Sequence, residues 1–255
     1  MTHTGYDHHA ELAGLYDALP LYNARRDVEF YVELCRRAGR ESGDVLELGC
    51  GTGRVLIPAA EAGARMTGLD NSKGMLARCR AKASALPVTL VEADMTRFAL
   101  GRTFRLAIIP FRPLQHLIAV EEQLRCLECV REHLEPGGRL VFDVFHPNLA
   151  MLVAPASDAE FEDTPEVRLP DGRTLRRAFR LTGKHRAEQV NDAELIYYLD
   201  GQRIVQVFPM RYFFRYEVEH LLARAGFEVA ALHGNFDKSA FGDDSPEMIF
   251  TAVRS

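Results

Sequence analysis

VLELGCGTGR, Val45 to Arg54, sets glycines at 49, 51 and 53 directly after a short apolar run. Gly49 and Gly51 let the backbone turn tightly and let a ligand approach where a Cβ would clash. The dinucleotide fingerprint asks for G-x-G-x-x-G, with the third glycine allowing close helix–strand packing. In that register the third position is Arg54, a long side chain, and the glycine that is present, Gly53, makes the pattern G-x-G-x-G. Three readings are open at this point: a phosphate loop, a loop for another adenosine-containing cofactor, or a tight turn.

Reading outward, Val45–Gly49 is a buried strand and Arg54–Gly63 a helix ended by Gly63. RMTGLD (65–70) is a second strand, followed by a helix opened by Asn71 or Ser72 and running through Lys82. Further strands fall at 88–94, 104–111 and 139–145, with a helix over 120–136 stopped by Pro-Gly-Gly. Strands alternating with helices at this spacing require crossovers and a parallel sheet. Upstream, residues 10 to 39 read as one or two helices. Beyond His146-Pro147 the texture changes: Asp-Gly pairs at 171–172 and 200–201, flanked by β-rich segments, predict an antiparallel insertion at roughly 160–210. RYEVEHLLARAGFEVAAL returns to helix and strand, and MIFTAVR is a last strand. The fold class is α/β: a seven-stranded, mostly parallel sheet with helices on both faces, plus a small antiparallel β insertion.

Composition narrows the function. Among 255 residues, 47% are apolar and 26% charged, ordinary for a soluble globular protein. The longest apolar runs are too short to span a bilayer and MTHTGYDHHAEL carries no secretory pattern, so no membrane partner is expected. A net charge of −5 with interspersed signs gives no footprint for nucleic acid. Five cysteines stand at 35, 50, 79, 126 and 129. The C-x-x-C at 126–129 lies in an amphipathic helix with no second ligand pair, so a core stripe is expected there and no metal. A reducing cytoplasm suits such thiols. His3, His8 and His9 near the start are not expected to bind metal.

Residues downstream discriminate among the readings of the glycine loop. Asp70, ending the second strand some twenty residues on, is placed to accept ribose hydroxyls. Oxidoreductases that bind NAD also carry this acid, so Asp70 supports an adenosine ligand without naming it. Asp94 and Met95 end the third strand, where a carboxylate can accept from an adenine amino group and a thioether can pack on its ring. Glu47 is an odd residue for a buried strand, and a ligand cation or backbone amides are its expected partners.

VLELGCGTGR, GLDNSKGML, VEADMTRF, FRLAIIPF and LEPGGRLVFDVF, in this order over residues 40 to 150, resemble the successive motifs of class I S-adenosylmethionine-dependent methyltransferases. The layout of the whole chain, with N-terminal tyrosines and a late β insertion, is similar to small-molecule N-methyltransferases of the amino-sugar and glycine or sarcosine type. The resemblance implies a Rossmann-like core at 41–150, an N-terminal helical lid at 1–40, the β insertion at 151–212 over the active site, and completion of the sheet by 213–255. It implies S-adenosylmethionine as cofactor, S-adenosylhomocysteine as product and a small-molecule acceptor, with the protein a monomer or homodimer.

Residue by residue, it implies that Gly49, Cys50, Gly51, Thr52 and Gly53 pack against the methionine moiety, with Glu47 beneath them. Asp70 would hold the ribose, Asn71 and Met75 line the adenine, and Asp94 and Met95 read it. Pro110 and Phe111 would border the sulfonium, and Tyr16, Tyr22 and Arg26 would close over the cofactor. FRPLQHL (111–117) departs from the small polar pair common in such relatives, and Arg112 there favours an anionic acceptor unless it points to solvent. Gln115, His146, Arg211 and Tyr212 join Arg112 as acceptor-facing candidates. His116, after the fourth strand, is the candidate general base for a hydroxyl acceptor. The alternatives kept open are an oxidoreductase of the NAD type and a non-catalytic cofactor-binding protein.

Overall fold

A computed structural model describes residues 5–9, 11–23, 25–41, 43–155, 157 and 159–255, so His3 lies outside the described residues. A 3-10 turn (Tyr6–His8) precedes α1 (Leu12–Ala18) and α2 (Pro20–Asn23). There follow α3 (Asp27–Arg40), β1 (Asp44–Leu48), α4 (Leu56–Glu61), β2 (Arg65–Asp70), α5 (Lys73–Lys82), β3 (Thr89–Glu92) and β4 (Phe104–Ile109). A second 3-10 turn (Pro113–His116) leads to α6 (Val120–His133) and β5 (Leu134–Phe145). After α7 (Leu149–Val153) come β6 (Phe161–Arg168), β7 (Thr174–His185), β8 (Val190–Leu199) and β9 (Gln202–Arg211). The chain ends with α8 (Arg215–Arg224), β10 (Phe227–His233) and β11 (Glu247–Arg254).

Two compact units divide these elements: residues 26–146 with 213–255, and residues up to Arg25 with 147–212. In the larger unit a seven-stranded sheet runs β10-β11-β5-β4-β1-β2-β3. Its pairs from β5 to β3 are parallel, and β11 is antiparallel to both of its neighbours. Strand order reverses between β1 and β4, and ligands of open α/β sheets bind outside the carboxyl strand ends at such a reversal.

Alternation along the strands makes two cores, one per face. Leu46, Leu48, Ala107, Ile109, Phe142 and Phe250 pack with α6 and α8, whereas Val45, Leu106, Ile108, Val141 and Ile249 pack with α3, α4 and α5. Phe142 and Phe250 face each other across β5 and β11 and stack at 5.5 Å, a pair worth about 0.5–1.5 kcal/mol beyond its burial. Cys126 is buried in the first of these cores and the Cys129 thiol donates to Thr96 O at 3.5 Å, so the C-x-x-C is a packed helix stripe.

The smaller unit is an antiparallel sheet, β6-β7-β8-β9. Asp200 and Gly201, with φ of 46° and 81°, make the tight β8–β9 turn, and the Asp200 carboxylate accepts from Thr174 N at 2.7 Å. The β7–β8 turn has no Asp-Gly and was not foreseen. Lys184 near the end of β7 and Arg186 in the turn donate to carbonyls at the end of α7. The remaining differences lie at boundaries. Residues 10–39 form three helices, Pro20 opening the second; β3 stops at Glu92; and β5 begins at Leu134, carrying Pro136-Gly137-Gly138 within its span.

Candidate active site

The glycine loop leaves β1 at the strand-order reversal. Gly49, Gly51 and Gly53 all have positive φ (67°, 54° and 85°), which explains the glycine at each turn of the chain. Two of them also answer to close neighbours. A Cβ on Gly49 would sit 2.7 Å from Pro113 Cγ, and one on Gly53 would sit 2.7 Å from Cys79 Sγ. Gly53 therefore provides the close approach to α5 that the dinucleotide pattern assigns to a glycine one position later. Cys50 and Thr52 are buried, and Met75, also buried, brings its methyl group to the loop at Gly51.

Arg54 takes the opposite role from a glycine. It forms a two-pronged ion pair with the buried Asp27, at 2.9 and 2.6 Å, and its guanidinium lies 4.8 Å from the centre of the Phe111 ring. Glu47 is buried on the same face of the sheet. Burial pushes its carboxyl well above the usual carboxylate range, against the pull of the Arg54 guanidinium. Its Oε2 has no hydrogen-bond partner, so the backbone amides expected to satisfy it do not.

The two acids at the strand ends are held by backbone amides. Asp70 accepts from Gly51 N through Oδ2 and from Ser72 N through Oδ1, both at 2.8 Å, which ties β2 to the glycine loop and to the start of α5. Ser72, not Asn71, caps α5 by accepting from Met75 N, and Asn71 is exposed. Each Asp70 oxygen has a second lone pair, so accepting these amides is compatible with a hydroxyl ligand. Asp94, exposed two residues beyond β3, accepts from Thr96 N and Thr96 Oγ1 through Oδ1, and Met95 packs partly buried beside the first core.

The turn after β4 was not legible as a structure. Pro110 is buried, and Phe111 and Arg112 follow with φ of 64° and 73°, a conformation that costs such residues about 1–3 kcal/mol each. Phe111 N donates to Asp143 Oδ1 at 2.9 Å, and the Tyr31 hydroxyl donates to the same oxygen at 2.6 Å. Arg112 neither points to solvent nor stands as a lone cation: its Nη2 pairs with Glu247 Oε1 at 2.5 Å and its guanidinium lies over the Phe145 ring. Gln115 is fully buried and its Oε1 accepts from Phe145 N at 3.1 Å. His116, ending the 3-10 turn, is exposed. His146 Nδ1 donates to Ser245 O at 2.8 Å, which leaves Nε2 to carry the lone pair of the neutral ring.

The larger unit thus gathers Glu47, Gly49–Gly53, Asp70, Met75, Asp94, Met95, Pro110–Arg112, Gln115, His116 and His146 at the carboxyl side of its strands. Arg26 is exposed just before α3. Tyr16, Tyr22, Arg211 and Tyr212 belong to the smaller unit. There Tyr16 and Tyr22 stack at 4.3 Å, and the Tyr22 hydroxyl accepts from Arg177, which also pairs with Asp163. Arg211 Nη1 donates to Glu188 O, and buried Tyr212 donates its N–H to Gln189 O.

Asp27, Tyr31, Asp143 and Glu247 were missed. The signal for the last two was present: acids inside apolar strands, in VFDVF and SPEMIF, as with Glu47. Burial, aided by the Glu247 charge, raises the Asp143 carboxyl to about 6.

A loop of left-handed glycines, an acid at the ends of both β2 and β3, a buried methionine and an orphaned carboxylate oxygen suit a ligand with an adenosine part and an amino-acid part. Comparison with known proteins points the same way. Residues 45–138 match the family described as a methyltransferase domain. The cypemycin N-terminal methyltransferase of a Streptomyces species is 28% identical over 82% of each chain. The dTDP-3-amino-3,4,6-trideoxy-alpha-D-glucopyranose N,N-dimethyltransferase of Streptomyces venezuelae is 34% identical over 44% of this chain and 46% of its own. The structure of CalS10, an amino pentose methyltransferase from Micromonospora echinaspora bound to S-adenosylmethionine, superposes with a TM-score of 0.72 at 26% identity, covering 94% of this chain and 97% of that one.

Residues 45–138 are a methyltransferase domain, and in sequence and fold the chain resembles the class I S-adenosylmethionine-dependent methyltransferases. It is an enzyme that moves a methyl group from S-adenosylmethionine, its cofactor, and within that class it resembles the small-molecule N-methyltransferases. Among the described residues, no helix is long and apolar enough to cross a membrane.

Proposed function

We propose that the acceptor is a small molecule methylated on an amine nitrogen. The observation that carries this reading is the Arg112–Glu247 pair. Arg112 was the reason to expect an anionic acceptor, and its charge is already taken up within the fold. What remains at this edge of the sheet is acidic, with Asp70 at the end of β2, Asp94 just past β3 and Asp143 buried behind the turn, and such a field favours approach of an ammonium over that of a carboxylate or phosphate. The relatives support it, since one is described as the cypemycin N-terminal methyltransferase and another as an N,N-dimethyltransferase of an amino sugar.

When bound, S-adenosylmethionine supplies a methyl carbon made electrophilic by its sulfonium. In our reading Gly49–Gly53 seat the methionine part, Asp70 the ribose, and Asp94 with Met75, Asn71 and Met95 the adenine. Pro110 and Phe111 border the reacting end. The approaching ammonium first releases one proton to water, the neutral amine attacks the methyl carbon through its lone pair as the sulfur–methyl bond breaks, and the methylated nitrogen sheds its second proton afterwards, so alignment and exclusion of water matter more than a built-in base. His116 is assigned to receive that proton, and His146 to contact the acceptor. A net charge of −5 supports action without nucleic acid and five free thiols suit the cytoplasm, and in our reading the protein acts as a monomer or homodimer.

The test is a panel of amino sugars, short peptides with free N-termini, glycine and sarcosine, set against hydroxy acids and phenols and scored by S-adenosylhomocysteine release. Turnover confined to the hydroxy compounds overturns the amine reading. His116→Asn is expected to keep kcat within about tenfold for an amine; an essential base would cost roughly 100- to 10,000-fold.

A further inference from the structure

Neither Phe111 nor Arg112 is a residue that favours left-handed backbone, so contacts must hold their turn in place. Three straps do so from β5 and β11. Phe111 N donates to Asp143 Oδ1, Arg112 pairs with Glu247, and Gln115 accepts from Phe145 N. The first strap is itself braced, because Tyr31 of α3 donates its hydroxyl to the same Asp143 oxygen. One residue past the turn, the Pro113 ring closes on Gly49 so tightly that no side chain fits between them. An unbroken series of contacts therefore runs from Tyr31 through Asp143 and the turn to the first glycine of the cofactor loop.

We infer that Asp143 is a positioning residue for methyl transfer: steadied by Tyr31, its carboxylate holds the left-handed Phe111–Arg112 turn against Gly49 and thereby fixes the shape of the cofactor loop. This rests on the reading that places Gly49–Gly53 and Phe111 at the cofactor. The feature that matters is an acceptor oxygen at this point, not the negative charge. Tyr31 from α3, Glu247 from β11 and Arg112 from the turn are the titratable and charged groups that face Asp143.

Asp143→Ala, Asp143→Asn and Tyr31→Phe, each in the full chain, are compared by isothermal titration with S-adenosylhomocysteine and by amide hydrogen exchange across residues 49–53 and 110–114. Asp143→Ala is expected to weaken binding at least tenfold and to speed exchange of the Phe111 amide well below its melting temperature. Tyr31→Phe is expected to weaken binding three- to fivefold. Asp143→Asn keeps an acceptor oxygen and is expected to stay within twofold of the parent, a rescue that a general loss of packing would not show. Binding by Asp143→Ala within twofold of the parent overturns the inference. If that variant fails to fold, Tyr31→Phe decides, and unchanged affinity with unchanged Phe111 exchange overturns it. If the product protects 49–53 of the parent but leaves 110–114 untouched, the assignment of Phe111 to the cofactor has failed; protection of both segments with an unaffected Asp143→Ala rejects the positioning role alone.

Discussion

Two turns close neighbouring strands at the carboxyl edge of the sheet, and both run through left-handed backbone. The turn after β1 does so with Gly49, Gly51 and Gly53, for which that conformation carries no Cβ penalty. The turn after β4 does so with Phe111 and Arg112, against their intrinsic preference, and depends on Asp143, Glu247 and Phe145 to stay there. One turn is shaped by what its residues are, the other by what surrounds them. Arg54 connects the two, leaving the first turn, pairing with Asp27 and lying over the Phe111 ring.

Cutting that connection should have the largest effect. Asp27→Ala strands the Arg54 guanidinium, whose side chain is only 10% exposed, and is expected to cost about 3–5 kcal/mol. A loss below about 1 kcal/mol in urea unfolding would show that Arg54 finds water or another partner.

Next comes the charge behind the second turn. In the folded protein the Asp143 carboxyl titrates at about 6, above its ordinary 3.8. The native state therefore binds more protons than the unfolded chain between these values, and stability should fall as pH rises from about 4 to about 6. The full penalty, about 3 kcal/mol, is present above that window. Asp143→Asn should accordingly raise the melting temperature at pH 7.5 and lose its advantage near pH 4. A pH-independent gain would assign the effect to packing instead.

Gly49→Ala attacks the first turn twice, through its φ of 67° and through the Pro113 ring. A loss of roughly 100-fold in S-adenosylhomocysteine affinity, ~2.7 kcal/mol, is expected by calorimetry. Affinity within threefold would mean that the two turns are not mechanically joined.

The finest contrast lies within the second turn. If Phe111 is held in a strained conformation, Phe111→Gly should be more stable than Phe111→Ala by about 1 kcal/mol. Glycine normally loses to alanine, so the reverse order in chemical denaturation would show the turn to be relaxed.

These turns mark how far the sequence could be read. Alternating strands and helices, Gly63 and Ser72 at helix ends and the Asp-Gly hairpin at 200–201 announce themselves because their causes are local. Asp70 was legible for the same reason, standing at a fixed distance from the glycines. The role of Arg112 was not, because its partner is 135 residues away and nothing in FRPLQHL names Glu247. Tyr31 and Asp143 escaped notice likewise, being 112 residues apart. The Gln189 turn between β7 and β8, at φ 56° without a glycine, also rests on neighbours.

The sequence by itself determined the layered α/β fold, the glycine loop between the first strand and its helix, and the kind of ligand that such a loop followed by two spaced acids accepts. Those features follow from periodicity, backbone freedom and short spacing, all of which act within a few turns of chain. Only the tertiary structure decided where the charges of the site go: Arg54 to Asp27, Arg112 to Glu247, and Asp143 to the turn it restrains. Burial makes each such group require a partner, and which partner it meets is set by the packing of strands far apart in the chain.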